Sequence, residues 1–163
     1  MDFSSEEFYE NRLRADESVR RHTLEDFDLE LDDLEPMQAE ILEPREPVVF
    51  VDTAGSGADE ISREGSKSRE NPDEAALMVD LADALLEAGL YERELAVISP
   101  YWDQVDRIRG DLGREDVEVK TVDGFQGREK EVVLISLVRS NPDGEVVLGG
   151  ATYGLVALAV PLT

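Results

Sequence analysis

At 163 residues, 41% of them hydrophobic, the chain is long enough for one domain with a real core. With no cysteine and a single histidine, His22, disulfides, thiolate catalysis, zinc-thiolate sites and multi-histidine metal sites are excluded. Its 39 acidic residues against 16 basic ones give a net charge of −23, which argues against nonspecific attraction to nucleic acid. Because the acid is spread over linkers and helix faces, and only Lys67, Lys120 and Lys130 are lysines, the composition reads as a halophilic surface whose self-repulsion is screened by salt.

Ser4 or Ser5 is placed to cap a short helix, with Glu6 and Glu7 near its positive end. Phe8, Tyr9 and Leu13 give that helix one sticky face, the reading being a docking helix without chemistry. The acidic start, Met1 to Glu7, lacks the basic-then-apolar pattern of a signal peptide, so a cytoplasmic protein is expected. Residues 14–46 are acidic and irregular, broken toward their end by Pro36 and Pro44, with Pro47 just beyond, and read as a surface connection. Val48–Asp52 is the first core strand. Asp52 at its end reads as structural and not as a magnesium carboxylate, since Thr53 follows it and no G-x-x-x-x-G-K-[ST] loop occurs in the chain. Residues 55–70 form a polar Gly/Ser loop, expected to be mobile.

Asn71-Pro72-Asp73-Glu74 is a strong helix start: a capping Asn, Pro at the first position and acids in the first turn. Leu77, Met78, Leu81 and Leu85 form its buried stripe, and Gly89 stops it. Leu95–Ser99 is a second strand. Val105, Ile108 and Leu112 pattern the next helix, ended by Gly113. Val117, Val119 and Thr121 alternate as a short strand, Gly124 to Gly127 make a turn, and Val132–Val138 is an apolar run suited to a strand buried on both faces. The alternation predicts an α/β fold, a largely parallel sheet with helices on both faces.

Val122-Asp123-Gly124-Phe125-Gln126-Gly127-Arg128-Glu129, followed by a strand and Val138-Arg139-Ser140-Asn141, resembles motif V of superfamily-one helicases of the Upf/senataxin type. Other pieces agree in order. Phe3 to Leu13 resembles the segment after the family's Gln-x-x-Arg motif, and Val49 to Gly55 the first strand of the second motor domain. Val97-Ile98-Ser99-Pro100-Tyr101 resembles a nucleic-acid-contacting strand end, so the resemblance covers residues 3 to about 145. It implies a RecA-like C-terminal motor domain, related to the P-loop NTPases but lacking the P-loop. Its core is residues 47–145, preceded by a docking helix and acidic connection over 1–46 and followed by a divergent apolar tail over 146–163.

The resemblance also implies roles. Ser99, Pro100, Tyr101, Thr121 and Val122 would touch the sugar–phosphate backbone of a single strand, which hydroxyls and backbone N–H groups can do without net charge. Tyr101 could offer a face or a hydroxyl, and Gln104 is a lesser candidate. Gly127, Arg128 and Glu129 would meet the nucleotide, with Gly127 admitting the backbone and Glu129 accepting from a ribose hydroxyl. Plain structural readings stand beside these: packing for Tyr101 and Trp102, capping for Ser99, and a salt-bridge cluster with Lys130 and Glu131 for Glu129. No catalytic residue and no metal ligand is assigned.

After Gly144 the agreement ends. A Leu-Asn-Val-Ala-Leu-Thr-Arg-Ala-like motif VI helix should follow, yet Val146 to Thr163 carries no charge. A shifted frame or premature end is the expected cause, and the tail is expected to pack poorly or form a makeshift strand. ATP with Mg2+ would bind only if a first motor domain were supplied, placed by the resemblance before Met1. The function expected is therefore a part of an ATP-dependent DNA/RNA helicase that is inactive alone. Its partners would be single-stranded nucleic acid and an N-terminal RecA-like motor domain, in cis or in trans. The alternatives are a non-catalytic regulatory module docking on a motor domain in trans, and an inactive truncated product.

Overall fold

The structure, a computed structural model, describes residues 22–53, 55–140 and 155–159. The helix expected around Phe8 lies outside them. Helix α1 is Pro36–Ile41, strand β1 Val48–Asp52, α2 Pro72–Glu87, β2 Leu95–Ser99 and α3 Trp102–Leu112. Strand β3 is Glu118–Thr121, α4 the single turn Val122–Phe125, β4 Val132–Ser136 and β5 Leu155–Ala159. Asn71 caps α2 by accepting the N–H of Glu74 (3.1 Å), with Pro72 at the first helical position, where its missing N–H is no loss. Gly113, at φ 60°, ends α3 in the left-handed conformation that a side chain resists.

One five-stranded sheet runs in the order β1-β5-β4-β2-β3. Strand β2 is parallel to both β3 and β4, while β5 is antiparallel to both β4 and β1. Four of the five strands therefore share one direction, as a largely parallel sheet requires, and helices flank it. Met78, Leu81 and Leu85 of α2 and Val105 and Ile108 of α3 bury against Leu95, Val97, Val132 and Leu134 of the sheet. Each such side chain stabilises the fold by about 1.5–3 kcal/mol. On β1, by contrast, Phe50 is 65% exposed and Val48 is exposed.

Three expectations change. The strand predicted over Val132–Val138 stops at Ser136, and Val138 takes φ 72°. The 55–70 loop, expected to be mobile, is pinned: Ile61 and Glu70 exchange both backbone hydrogen bonds, and Glu70 is gripped by Arg63 and Arg107. Residues 155–159 of the apolar tail, expected to pack poorly or form a makeshift strand, do form a strand, paired on one side with β1 and on the other with β4. The acidic connection is not wholly superficial either, since Leu24, Ile41 and Leu42 are buried in the core. No helix among the described residues is long and apolar enough to cross a membrane.

Candidate nucleic-acid interface

Because β2 and β3 are parallel and in register with Ser99 opposite Thr121, the loops that leave them emerge side by side. Open α/β sheets bind ligands at this carboxyl edge. Ser99 is fully buried, and its Oγ accepts the Tyr101 N–H (3.4 Å), so its hydroxyl faces the fold. Pro100 is exposed and Tyr101 half-buried. Thr121 caps α4 through Oγ1, which accepts the Gly124 N–H (3.2 Å). A Cβ on Gly124 would stand 3.1 Å from that same Oγ1, which favours glycine there. Val122 is 49% exposed. Trp102, for which packing was the plain structural alternative, is 64% exposed as the first residue of α3.

Beneath this edge lies a polar knot of which the sequence singled out only Gln104 as a candidate. Thr53, Asn71, Glu74, Gln104 and Ser136 are all buried. Gln104 donates to the Ser136 Oγ (2.9 Å) and the Asn71 carbonyl (3.2 Å), and its Oε1 accepts the Asn71 N–H (2.8 Å). Gln104 is thus a structural tie between α3, β4 and the start of α2 and does not reach outward. Glu74 accepts the Ser136 hydroxyl (2.6 Å), the Val138 N–H (2.9 Å) and the Thr53 hydroxyl (3.3 Å). Burial pushes the Glu74 carboxyl above its usual range, and these three donors pull it partly back. Arg139, just past the knot, donates from Nε to Glu60 (2.6 Å) and meets the Tyr101 hydroxyl, contacts that raise its pKa further. The signal for Glu74 was present: it sits one turn before Met78 on the buried stripe, the place of an apolar residue.

The Gly127-Arg128-Glu129 turn is elsewhere. After α4 the chain runs back along β3 toward the opposite edge, where the Glu131 N–H donates to the Glu94 carbonyl (3.1 Å). Gly127 has φ 78°, with open space where a Cβ would point. Arg128 is committed to Glu118 (2.7 Å), which Lys130 also approaches (3.7 Å). Glu129 is exposed and takes part in no hydrogen bond or ion pair among the described residues. The salt-bridge cluster therefore uses Arg128 and Lys130 and leaves the Glu129 carboxylate open to solvent. No group of three acidic or histidine side chains among the described residues could hold a metal ion.

The family model described as AAA domain matches residues 1–157. The chain belongs to the AAA domain family. The DNA-binding protein SMUBP-2 of Mesocricetus auratus is 42% identical to this AAA domain over 146 residues, 88% of this chain and 14% of that protein. The DNA polymerase alpha-associated DNA helicase A of Saccharomyces cerevisiae is 37% identical over 154 residues, 90% of this chain and 22% of that protein. The DNA replication ATP-dependent helicase/nuclease DNA2 of Homo sapiens is 42% identical over 108 residues, 65% of this chain and 10% of that protein. The resemblance to the C-terminal motor domain of superfamily-one helicases is thereby borne out, and with it the RecA-like α/β fold. The AAA domain described here spans 10–22% of the length of these three relatives.

Proposed function

We propose that this AAA domain is the C-terminal motor part of an ATP-dependent superfamily-one helicase acting on single-stranded nucleic acid. The observation that carries the reading is the pairing of Ser99 with Thr121, which sets Pro100, Tyr101, Trp102 and Val122 side by side at the carboxyl edge. In this reading that edge meets the strand backbone through Pro100, Tyr101, Thr121 and Val122, with Ser99 supporting them from within. Gly127 and Glu129 meet the ribose of a nucleotide, and Arg128 holds the turn against Glu118. ATP supplies the phosphoryl group whose hydrolysis drives the motor. Its phosphates and magnesium need a phosphate loop and acidic ligands, which belong to a partner N-terminal RecA-like domain, in cis or in trans.

Trp102 is the only tryptophan and stands at the proposed edge, so it reports binding directly. Titrating the folded chain with oligo(dT) or oligo(U) is expected to change Trp102 emission saturably, and Val122→Glu to weaken binding roughly tenfold by setting a carboxylate against phosphates. ATP turnover is expected to be absent with or without the oligonucleotide. Emission and gel mobility that both stay unchanged at saturating oligonucleotide would overturn the strand contact. Turnover lost in Glu129→Ala would overturn the incomplete-site reading.

A further inference from the structure

Val138 is β-branched and fully buried, yet it has φ 72°. The Arg139 N–H donates to the Leu137 carbonyl (2.8 Å), so Val138 is the centre of a γ-turn in its rare positive-φ form. A β-branched residue held there is strained, so the surroundings must hold it. Both of its backbone polar groups are tied to the first turn of α2. The Glu74 carboxylate accepts its N–H (2.9 Å), and Asn71 Nδ2 donates to its carbonyl (3.3 Å). Glu74 has no ion pair among the described residues. Its Oε2 faces the Ser136 hydroxyl and the Val138 N–H, and its Oε1 faces the Thr53 hydroxyl and Asn71 Nδ2. Two of those donors, a backbone amide and a side-chain amide, cannot become acceptors. A carboxylate accepts at both positions, whereas a carboxamide sets its own NH2 against either the Val138 N–H or Asn71 Nδ2, whose two hydrogens also serve the Ala58 carbonyl (2.9 Å) and the Val138 carbonyl (3.3 Å).

We propose that Glu74 is a positioning residue that holds the strained turn at Val138, and thereby sets Arg139 against Tyr101 in the loop that the strand contacts. Beyond the turn, Arg139 joins Glu60 of the 55–70 loop to Tyr101 after β2. The ends of β2 and β4 and the loop after β1 are thus fastened through one carboxylate. The affinity part of this inference rests on the proposed strand contact, whereas the geometric part does not.

The test uses the full chain as wild type, Glu74→Gln, and Glu74→Gln combined with Val138→Gly. The readouts are the NMR signal of the Arg139 Nε–H and the affinity for oligo(dT). In Glu74→Gln the Arg139 signal is expected to lose its protection, and affinity to fall roughly tenfold. Both are expected to recover in the double variant, because glycine adopts positive φ without a Cβ clash. A role confined to core packing predicts the reverse, since the double variant also loses a buried valine side chain. An unchanged Arg139 signal in Glu74→Gln, or a double variant no better than the single one, overturns the proposal. If Glu74→Gln does not fold, folding of the double variant supports the proposal, and failure of both to fold overturns it. A wild-type chain that does not bind oligo(dT) sinks the strand reading, while the Arg139 signal still decides the turn.

Discussion

Glu70→Gln is expected to cost this domain about 3 kcal/mol of stability at neutral pH, with the loss fading as the pH falls toward 2. Glu70 is 2% exposed and is gripped twice. Arg107 donates from Nε to Oε2 (3.0 Å) and from Nη2 to Oε1 (3.1 Å), while Arg63 donates from Nε and Nη2 to Oε2 (2.9 and 2.6 Å). The Arg107 hydrogen bonds, against the cost of burial and with help from Arg63, hold the carboxyl down from 4.5 to about 2. A carboxyl depressed in the folded state contributes stability that is fully present above about 4.5 and is lost as pH drops through about 2. Glu74 acts with the opposite sign. Its carboxyl is raised, so the folded state takes up the proton first, and folding gains as pH falls through that raised value toward 4.5. Urea unfolding of the wild type and Glu70→Gln across pH 2–7 checks the claim. A difference under about 1 kcal/mol at pH 7 would show that the two arginines do not hold the loop.

Salt is expected to raise the melting temperature by roughly 5–10 °C between about 0.1 M and 1 M, as the range of repulsion shrinks from about 10 Å to about 3 Å. The cause is the net charge of −23, which opposes compaction at low ionic strength. Exposed pairs such as Arg45 with Glu25 (2.9 Å) should weaken in the same range, but each is worth little. The Glu70 contacts are buried and screened less, so the penalty of Glu70→Gln should persist at 1 M. A melting temperature that stays flat or falls with salt would contradict the halophilic reading and favour an acidic surface made for a partner.

Local signals placed most of the fold. Asn71-Pro72, Gly89 and Gly113 mark helix ends through backbone restrictions that act within a few residues, and β1 and β2 have the expected bounds. What failed depends on distant partners. Glu74 looked like an acid suited to a helix start, and only its place on the Met78–Leu81–Leu85 stripe hinted at burial. The apolar run to Val138 has strand chemistry throughout, yet Glu74 and Asn71, more than sixty residues earlier, turn the chain after Ser136. Glu70 draws one arginine from its own loop and the other from α3. At the interface, the neighbouring loops after β2 and β3 could be read from parallel pairing. The burial of Ser99 and the exposure of Trp102 could not, because both depend on how α3 leaves the sheet.

The position of β5 bears on the order in which the sheet assembles. Among the described residues β1 pairs with β5 alone, which sets Val48 against Ala159, far along the chain. The β2, β3 and β4 ladders close over shorter separations and can form around α2 and α3 beforehand. During synthesis β1 emerges early but has no strand to pair with until residues 155–159 have left the ribosome. In that interval the apolar Val48–Val51 run is an unpaired edge, so the wait for β5 is a step exposed to aggregation.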